Sequence, residues 1–400
     1  MKIKLLSAGL LLSLTVVSFA QNAKDILTKS YNKCQSIQNG YYEMDTYTKW
    51  MSEKDTLKSS YTCYFKKLKN DSLSSLAFHY KHIERGYKGA TLYTGNELVR
   101  INPYDSTATI KSKALWGEHI KAYNGYINWS HFVTREYSPL PHDADFTDNK
   151  HIFKFIGEEA VNKNSCYHIQ MNEIPKVDST EMKTLRIEYH FWIKKEDLIP
   201  MQYSVAYDLL MQNDTMYEYN KVVLTKYELN KLKDESIFTL SSIPASYRIK
   251  DYVDIKTPEP LPKDTIAPNF KLLSVTDEEI SLVDQKGKLV LLDFFYKSCY
   301  PCMQALPKLQ ALHEKYKDKG LSVIGIDPWD KKEDDIAAFL TKRGATYPVL
   351  LDAKEVANDY RVTGYPTIYL IDKTGKIIFL QVGYDEDIER TLEEVILKNL

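Results

Sequence analysis

Leu289-Val-Leu-Leu-Asp-Phe-Phe295 is a continuous apolar run of strand length, broken by one carboxylate, Asp293. It passes directly into Tyr296-Lys-Ser-Cys-Tyr-Pro-Cys302, after which Leu306, Leu309 and Leu312 recur at helical spacing. A buried strand that hands over to a helix within a few residues is the start of a βα unit, and it places Cys299 at the junction. Pro301 suits a first helical turn, where no N–H is needed, and Pro307 inside the helix predicts a kink.

That junction gives the cysteines a chemistry. The first turn of a helix carries unpaired N–H groups and partial positive charge, and both favour a thiolate over a thiol. Cys299 is therefore expected to be a nucleophile near neutral pH. Cys302, one turn on, can attack a mixed disulfide formed on Cys299 and release the product. With no second Cys-x-x-Cys in the chain, half of a zinc site or a structural staple fits poorly.

Downstream, Leu321–Asp327 reads as a buried strand, Ile336–Lys342 as a helix and Val349–Leu351 as a short strand. Thr367–Ile371 and Ile377–Val382 flank the turn Asp372-Lys-Thr-Gly-Lys376, and Ile388–Leu397 closes the chain as an amphipathic helix. This order predicts a mixed central sheet with helices on both sides.

From about Ala267 onward the chain resembles the thioredoxin fold, and within it the TlpA/ResA-like thiol–disulfide oxidoreductases of the AhpC/TSA–redoxin superfamily. The matching residues are Ala267-Pro-Asn-Phe270, Asp293, Cys299-Tyr-Pro-Cys302, Pro307 and Gly364-Tyr-Pro-Thr367. Ser298 departs from the family, which usually has Trp before the first cysteine. The resemblance implies that Asp293 is the buried carboxylate beneath the cysteine pair, with a pKa raised by desolvation, relaying a proton to or from Cys302. It implies a cis Pro366 facing the sulfurs. Tyr365 would then pair with an extended substrate peptide, and Tyr300 would shape the rim. A thiol peroxidase of the AhpC/TSA type fits less well, because Tyr296 stands where those enzymes carry Thr or Ser.

Met1-Lys-Ile-Lys4 followed by the apolar run Leu5–Phe19 and Ser18-Phe-Ala20 predicts a signal peptide over 1–20, cleaved before Gln21. An uncleaved membrane anchor is the alternative. Export, most naturally to a Gram-negative periplasm, puts the chain where disulfides persist. The net charge of −1 gives no case for nucleic acid. Besides the pair, Cys34, Cys63 and Cys166 leave at least one unpaired thiol among themselves. Cys166 reads as a core residue and Cys34 as the most exposed. His79-Tyr-Lys-His82 reads as a strand-edge pair and not as a metal site.

Residues 21–255 predict a β-rich domain. A short amphipathic helix over Ala23–Cys34 (Ile26, Leu27, Tyr31) precedes alternating segments: Tyr42–Trp50, Tyr61–Lys67, Leu76–Tyr80, Thr91–Leu92, Glu97–Ile101, Ile152–Ile156, Cys166–Met171, Leu185–Trp192, Pro200–Tyr207 and Met216–Leu229. Trp116–Trp129 is an expected helix and Pro139 with Pro141 an expected loop. Gly95-Asn-Glu-Leu-Val-Arg-Ile-Asn-Pro103, Gly157-Glu-Glu-Ala-Val with Cys166-Tyr-His-Ile, Phe191–Pro200 and Ile237-Phe238 before Ile243-Pro244 resemble LolA/LolB-like carriers. That resemblance implies a curved antiparallel sheet around a helix, with lipid as ligand. Thr257-Pro-Glu-Pro-Leu-Pro262 marks a Pro-rich linker over 256–265, expected to act as a semi-rigid spacer before a thioredoxin-like domain at 266–400.

The fold expected is thus two-domain: a mostly antiparallel β domain, then an α/β thioredoxin fold. The expected activity is thiol–disulfide exchange with no cofactor beyond the Cys299–Cys302 disulfide, running as a reductase on exported disulfide-bearing proteins. An electron donor, with a membrane-bound one as a candidate, would recharge the pair. The alternative is a carrier for lipid or another apolar ligand with an accessory redox domain.

Overall fold

The computed structural model describes residues 23–50, 55–71, 73–74, 76–84, 86–118, 151–173, 182–211, 214–253 and 258–400. The expected signal peptide, the Pro139 and Pro141 loop and most of Trp116–Trp129 lie outside the described residues. The chain divides into two compact units, the second of which takes in Ile255–Leu400.

In the first unit, helix α1 (23–36) precedes β1 (Asn39–Lys49), β2 (Leu57–Lys67), β3 (Leu76–Glu84), β4 (Tyr87–Tyr93), β5 (Glu97–Asn102) and β6 (Thr107–Ser112). A helical stretch α2 (113–118) follows, then β7 (His151–Val161), β8 (Asn164–Glu173), β9 (Met182–Lys194), β10 (Pro200–Met211), β11 (Asp214–Leu229) and β12 (Arg248–Asp251). They form one twelve-stranded sheet in the order β12-β6-β5-β4-β3-β2-β1-β11-β10-β9-β8-β7. Hairpins pair β1 through β6 antiparallel in sequence, whereas β12 lies parallel to β6.

Alternation along the strands supplies a one-sided core. Ile26 and Leu27 of α1 pack with Tyr42, Met44, Cys63, Phe65, Phe78, Phe191 and Leu224 from the sheet. Two expectations change here. Cys34 is buried, because it shares the apolar face of α1, and burial pushes its thiol up to about 12. His79 sits on β3, which is flanked by β2 and β4, so it is an interior residue and not an edge one. Cys34, Cys63 and Cys166 are all buried, and none of them is in a disulfide.

The second unit opens with a small hairpin, β13 (Lys271–Leu273) and β14 (Glu279–Ser281). It continues through β15 (Leu289–Phe294), α3 (Tyr300–Tyr316), β16 (Leu321–Ile326), α4 (Ile336–Lys342) and β17 (Val349–Leu350). It ends with α5 (Lys354–Asp359), β18 (Thr367–Ile371), β19 (Ile377–Val382) and α6 (Ile388–Asn399). The five-stranded sheet runs β17-β16-β15-β18-β19, with β15, β16 and β17 parallel and β18 antiparallel to both neighbours. This is the thioredoxin arrangement. Every residue of β15 is buried, which explains why its sequence is apolar without alternation. Leu292 and Phe294 enter a core with Ile324, Ile326, Tyr360 and Tyr369.

The Pro-rich segment does not stay a free spacer to its end. Leu261 is buried in that same core, and its N–H donates to the Tyr369 hydroxyl at 3.1 Å. Helix α3 continues through Pro307.

Candidate active site

Cys299 is the N-cap of α3, with extended backbone (φ −84°, ψ 102°) and Pro301 in the first turn. Its N–H donates to the Tyr296 carbonyl at 3.0 Å, and its own carbonyl accepts from Met303 N–H at 3.1 Å. The Cys299 sulfur accepts from the Cys302 N–H at 3.2 Å. The two sulfurs are bonded, with Cα atoms 5.3 Å apart. In the reduced protein that sulfur would be the thiolate, and the same N–H, with the helix end behind it, would stabilise its charge. Both cysteines are buried in the disulfide form, Cys302 the more deeply, at 1% against 3% exposure.

Asp293 lies on β15, the strand that leads into the Cys299 turn, and is fully buried. Its register partner on β16 is Gly325. A Cβ at Gly325 would come within 2.7 Å of Val349 and 2.9 Å of Phe295, so only glycine lets Phe295, Val349 and Tyr347 close over this point. Tyr347 donates its hydroxyl to Asp293 Oδ2 at 3.2 Å, while Oδ1 has no partner among the described residues. Burial raises the Asp293 carboxyl to about 7, the Tyr347 hydrogen bond pulling the other way. The Tyr347 hydroxyl is held well above its ordinary range, first by burial and then by the Asp293 charge.

The Tyr365–Pro366 peptide bond is cis, as expected. Tyr365 meets the active-site turn directly, its ring edge-on to Tyr296 at 5.3 Å. Thr367 Oγ1 closes the loop on the Gly364 carbonyl at 2.7 Å. Tyr300 is the first residue of α3 and half-buried, and Ser298 is exposed. The structure therefore brings the cysteine turn and the cis-proline loop together from positions nearly seventy residues apart.

Sequence reading missed Tyr347, Gly325, Asp327 and Asp330. Asp327-Pro-Trp-Asp330 follows the apolar run of β16, and a carboxylate closing a buried strand was the available signal. Exposed Trp329 stands in this segment, near Tyr365 of the cis-proline loop. No cluster of metal-ligating side chains occurs among the described residues.

A thioredoxin sheet with a cysteine pair at the front of its first long helix and a cis-proline loop beside it defines a dithiol–disulfide exchange protein. Residues 264–380 match the AhpC/TSA family model. The chain is 40% identical over 119 residues to the thioredoxin-like protein YneN of Bacillus subtilis, covering 29% of this chain and 69% of that one. It is 35% identical over 130 residues to the thiol–disulfide oxidoreductase ResA of Bacillus thuringiensis, covering 32% and 72%. The crystal structure of the thioredoxin domain of a thiol–disulfide oxidoreductase from Bacteroides vulgatus aligns at 29% identity, over 34% of this chain and 99% of that domain, with a TM-score of 0.32. The chain belongs to the thioredoxin-like thiol–disulfide oxidoreductases and is an enzyme of that class.

Proposed function

We propose that this is an exported enzyme that reduces disulfides in other exported proteins. The observation that carries the reading is the placement of Cys299 as N-cap, its sulfur accepting the Cys302 N–H, on the helix that follows the strand of buried Asp293. In the reduced enzyme the Cys299 thiolate attacks a substrate disulfide. One substrate sulfur leaves as thiolate and takes a proton, and the other stays bonded to Cys299. Asp293, half-ionised near pH 7, accepts the Cys302 proton through water. The Cys302 sulfur then attacks Cys299, releasing the second substrate thiolate, which takes up a proton. Two electrons have passed to the substrate, its two protons coming from Cys302 by way of Asp293 and water and from solvent, and the Cys299–Cys302 disulfide remains.

No cofactor beyond that disulfide is needed. A dithiol donor, membrane-bound or soluble, must then reduce it again. Tyr365, cis Pro366 and Tyr300 frame the approach of an extended substrate segment. The leader-like residues 1–20 support export. Trapping with Cys302→Ser tests the reading. Mixed disulfides on Cys299 should accumulate in cells and disappear with Cys299→Ser, and an empty trap would contradict it.

A second reading concerns the first unit. A cavity of about 670 Å³ is lined by Ser60, Thr62, His79 and Lys81, strand positions that alternate with the core ones, together with Ser242 and Tyr247. His79 is buried, lowered to about 4 by that burial, and its Nδ1 has no partner among the described residues. A cavity of this size suits one small ligand, so a carrier role for lipid or another apolar molecule is kept as the second reading, behind disulfide reduction. Mass spectrometry of the purified chain for a co-purifying ligand tests it, and a ligand-free protein would count against it.

A further inference from the structure

We propose that Asp327 and Asp330 form a carboxyl–carboxylate pair that holds one shared proton and, through the Lys297 N–H, positions the turn carrying Cys299. The proposal rests on the chain being a thiol–disulfide oxidoreductase, and it concerns positioning residues, since neither aspartate reaches the sulfurs in the contacts described.

Asp327 follows β16 and is completely buried. Its Oδ1 accepts from the N–H groups of Trp329 and Asp330, both at 2.9 Å, which folds the chain back on itself. Its Oδ2 is buried with no donor among the described residues. The Asp330 carboxyl is close enough to the Asp327 carboxyl for the two to interact. Two ionised carboxylates offer only acceptors and repel one another, so the contact cannot be a hydrogen bond while both are charged. One added proton removes the repulsion and gives Oδ2 its partner as O–H···O. The orphaned oxygen and the facing carboxylate therefore explain each other.

The pair is tied to the redox turn from the other side. Asp330 Oδ2 accepts the Lys297 N–H at 2.7 Å, and Lys297 is two residues before Cys299 in the turn closed by the Cys299-to-Tyr296 hydrogen bond. The charged and titratable neighbours are few. The buried Lys297 ammonium is engaged by the Asp334 carbonyl at 3.1 Å, and the Asp334 carboxylate by the Lys331 N–H at 2.8 Å. Tyr365 faces the segment from the cis-proline loop, and Tyr296 of the turn packs against Tyr365. Lys354 of α5 lies 5.7 Å from the Trp329 ring. Burial first, then the Asp330 charge, raises the Asp327 carboxyl to about 8. Loss of the shared proton thus adds a second negative charge behind the Cys299 turn as pH rises, opposing the thiolate.

The test is the pH profile of Cys299 alkylation by iodoacetamide in the reduced full chain, read at that residue by mass spectrometry. Asp327→Asn keeps the acceptor for both backbone N–H groups, donates an amide proton to Asp330, and fixes the pair in its singly charged form. The wild-type profile should contain one component near pH 8 and another near pH 7 from Asp293. Asp327→Asn should remove the first only, and Asp293→Asn the second only. On its flank the Asp327→Asn profile should show about threefold more thiolate, a shift of about half a pKa unit. Asp327→Ala, which loses both hydrogen bonds, should slow alkylation at every pH. An Asp327→Asn profile of wild-type shape, or one lowered by a constant factor, overturns the proposal. The component near pH 8 is read by alkylation whether or not the chain reduces a disulfide. Lost exchange activity with that component present would therefore count against the functional reading and leave the pair standing.

Discussion

Tyr347 donates to Asp293 across 54 positions of sequence at 3.2 Å and satisfies only one of the two carboxylate oxygens. A group held this way is poised between charge states. Full ionisation would leave a buried, half-solvated anion, and burial lifts its pKa from the ordinary 3.8 to about 7.

The sign of the consequence for stability is fixed. Between pH 4 and 7 the folded protein keeps a proton on Asp293 that the unfolded chain has released, so stability falls as pH rises through that window and is level above it. Asp293→Asn should therefore be nearly neutral at pH 3.5 and stabilising at pH 8, by about 2–4 kcal/mol. Denaturant unfolding at the two pH values measures this, and equal effects at both would contradict it.

Tyr347→Phe removes the one hydrogen bond among the described residues that favours the Asp293 anion. The Asp293 component of the alkylation profile should move upward from about 7 by about a unit. A downward shift would mean that Tyr347 does not donate to the carboxylate.

Gly325→Ala should cost about 1–3 kcal/mol, because the added carbon meets Val349 and Phe295 well inside contact distance. Unchanged unfolding would show that this layer can move apart.

Leu261→Ala should destabilise the second unit by about 2–3 kcal/mol, although the residue lies in a stretch that reads as linker. Calorimetry of the full chain tests this. No change in the unfolding of that unit would return Leu261 to a spacer role.

The sequence made the second unit readable because its strands are buried on both faces and its helices are periodic. Leu289–Phe295, the Cys299 junction and the Asp372–Lys376 hairpin are all local patterns. Short elements such as β13, β14 and α5 carry too few residues for a period to show. Tyr347, Gly325 and Asp327 matter only through contacts between distant strands, which spacing does not encode. In the first unit alternation revealed most strands, but β6 and β12 are short and polar. The exposure expected for Cys34 failed because the helix continues past it, to residue 36. Leu261 looked like part of a spacer because three prolines outweighed one apolar side chain.

On the proposed reading, the helix front stabilises the Cys299 thiolate and makes the Cys299–Cys302 bond exchangeable. Equilibration of the full chain in graded dithiol buffers, with both cysteines read by mass spectrometry, measures it most directly. One two-electron couple is expected, more positive than about −300 mV, the range below which structural disulfides lie. A bond that stays oxidised well below that potential, or a Cys299 that never forms a mixed disulfide on the way, would contradict it.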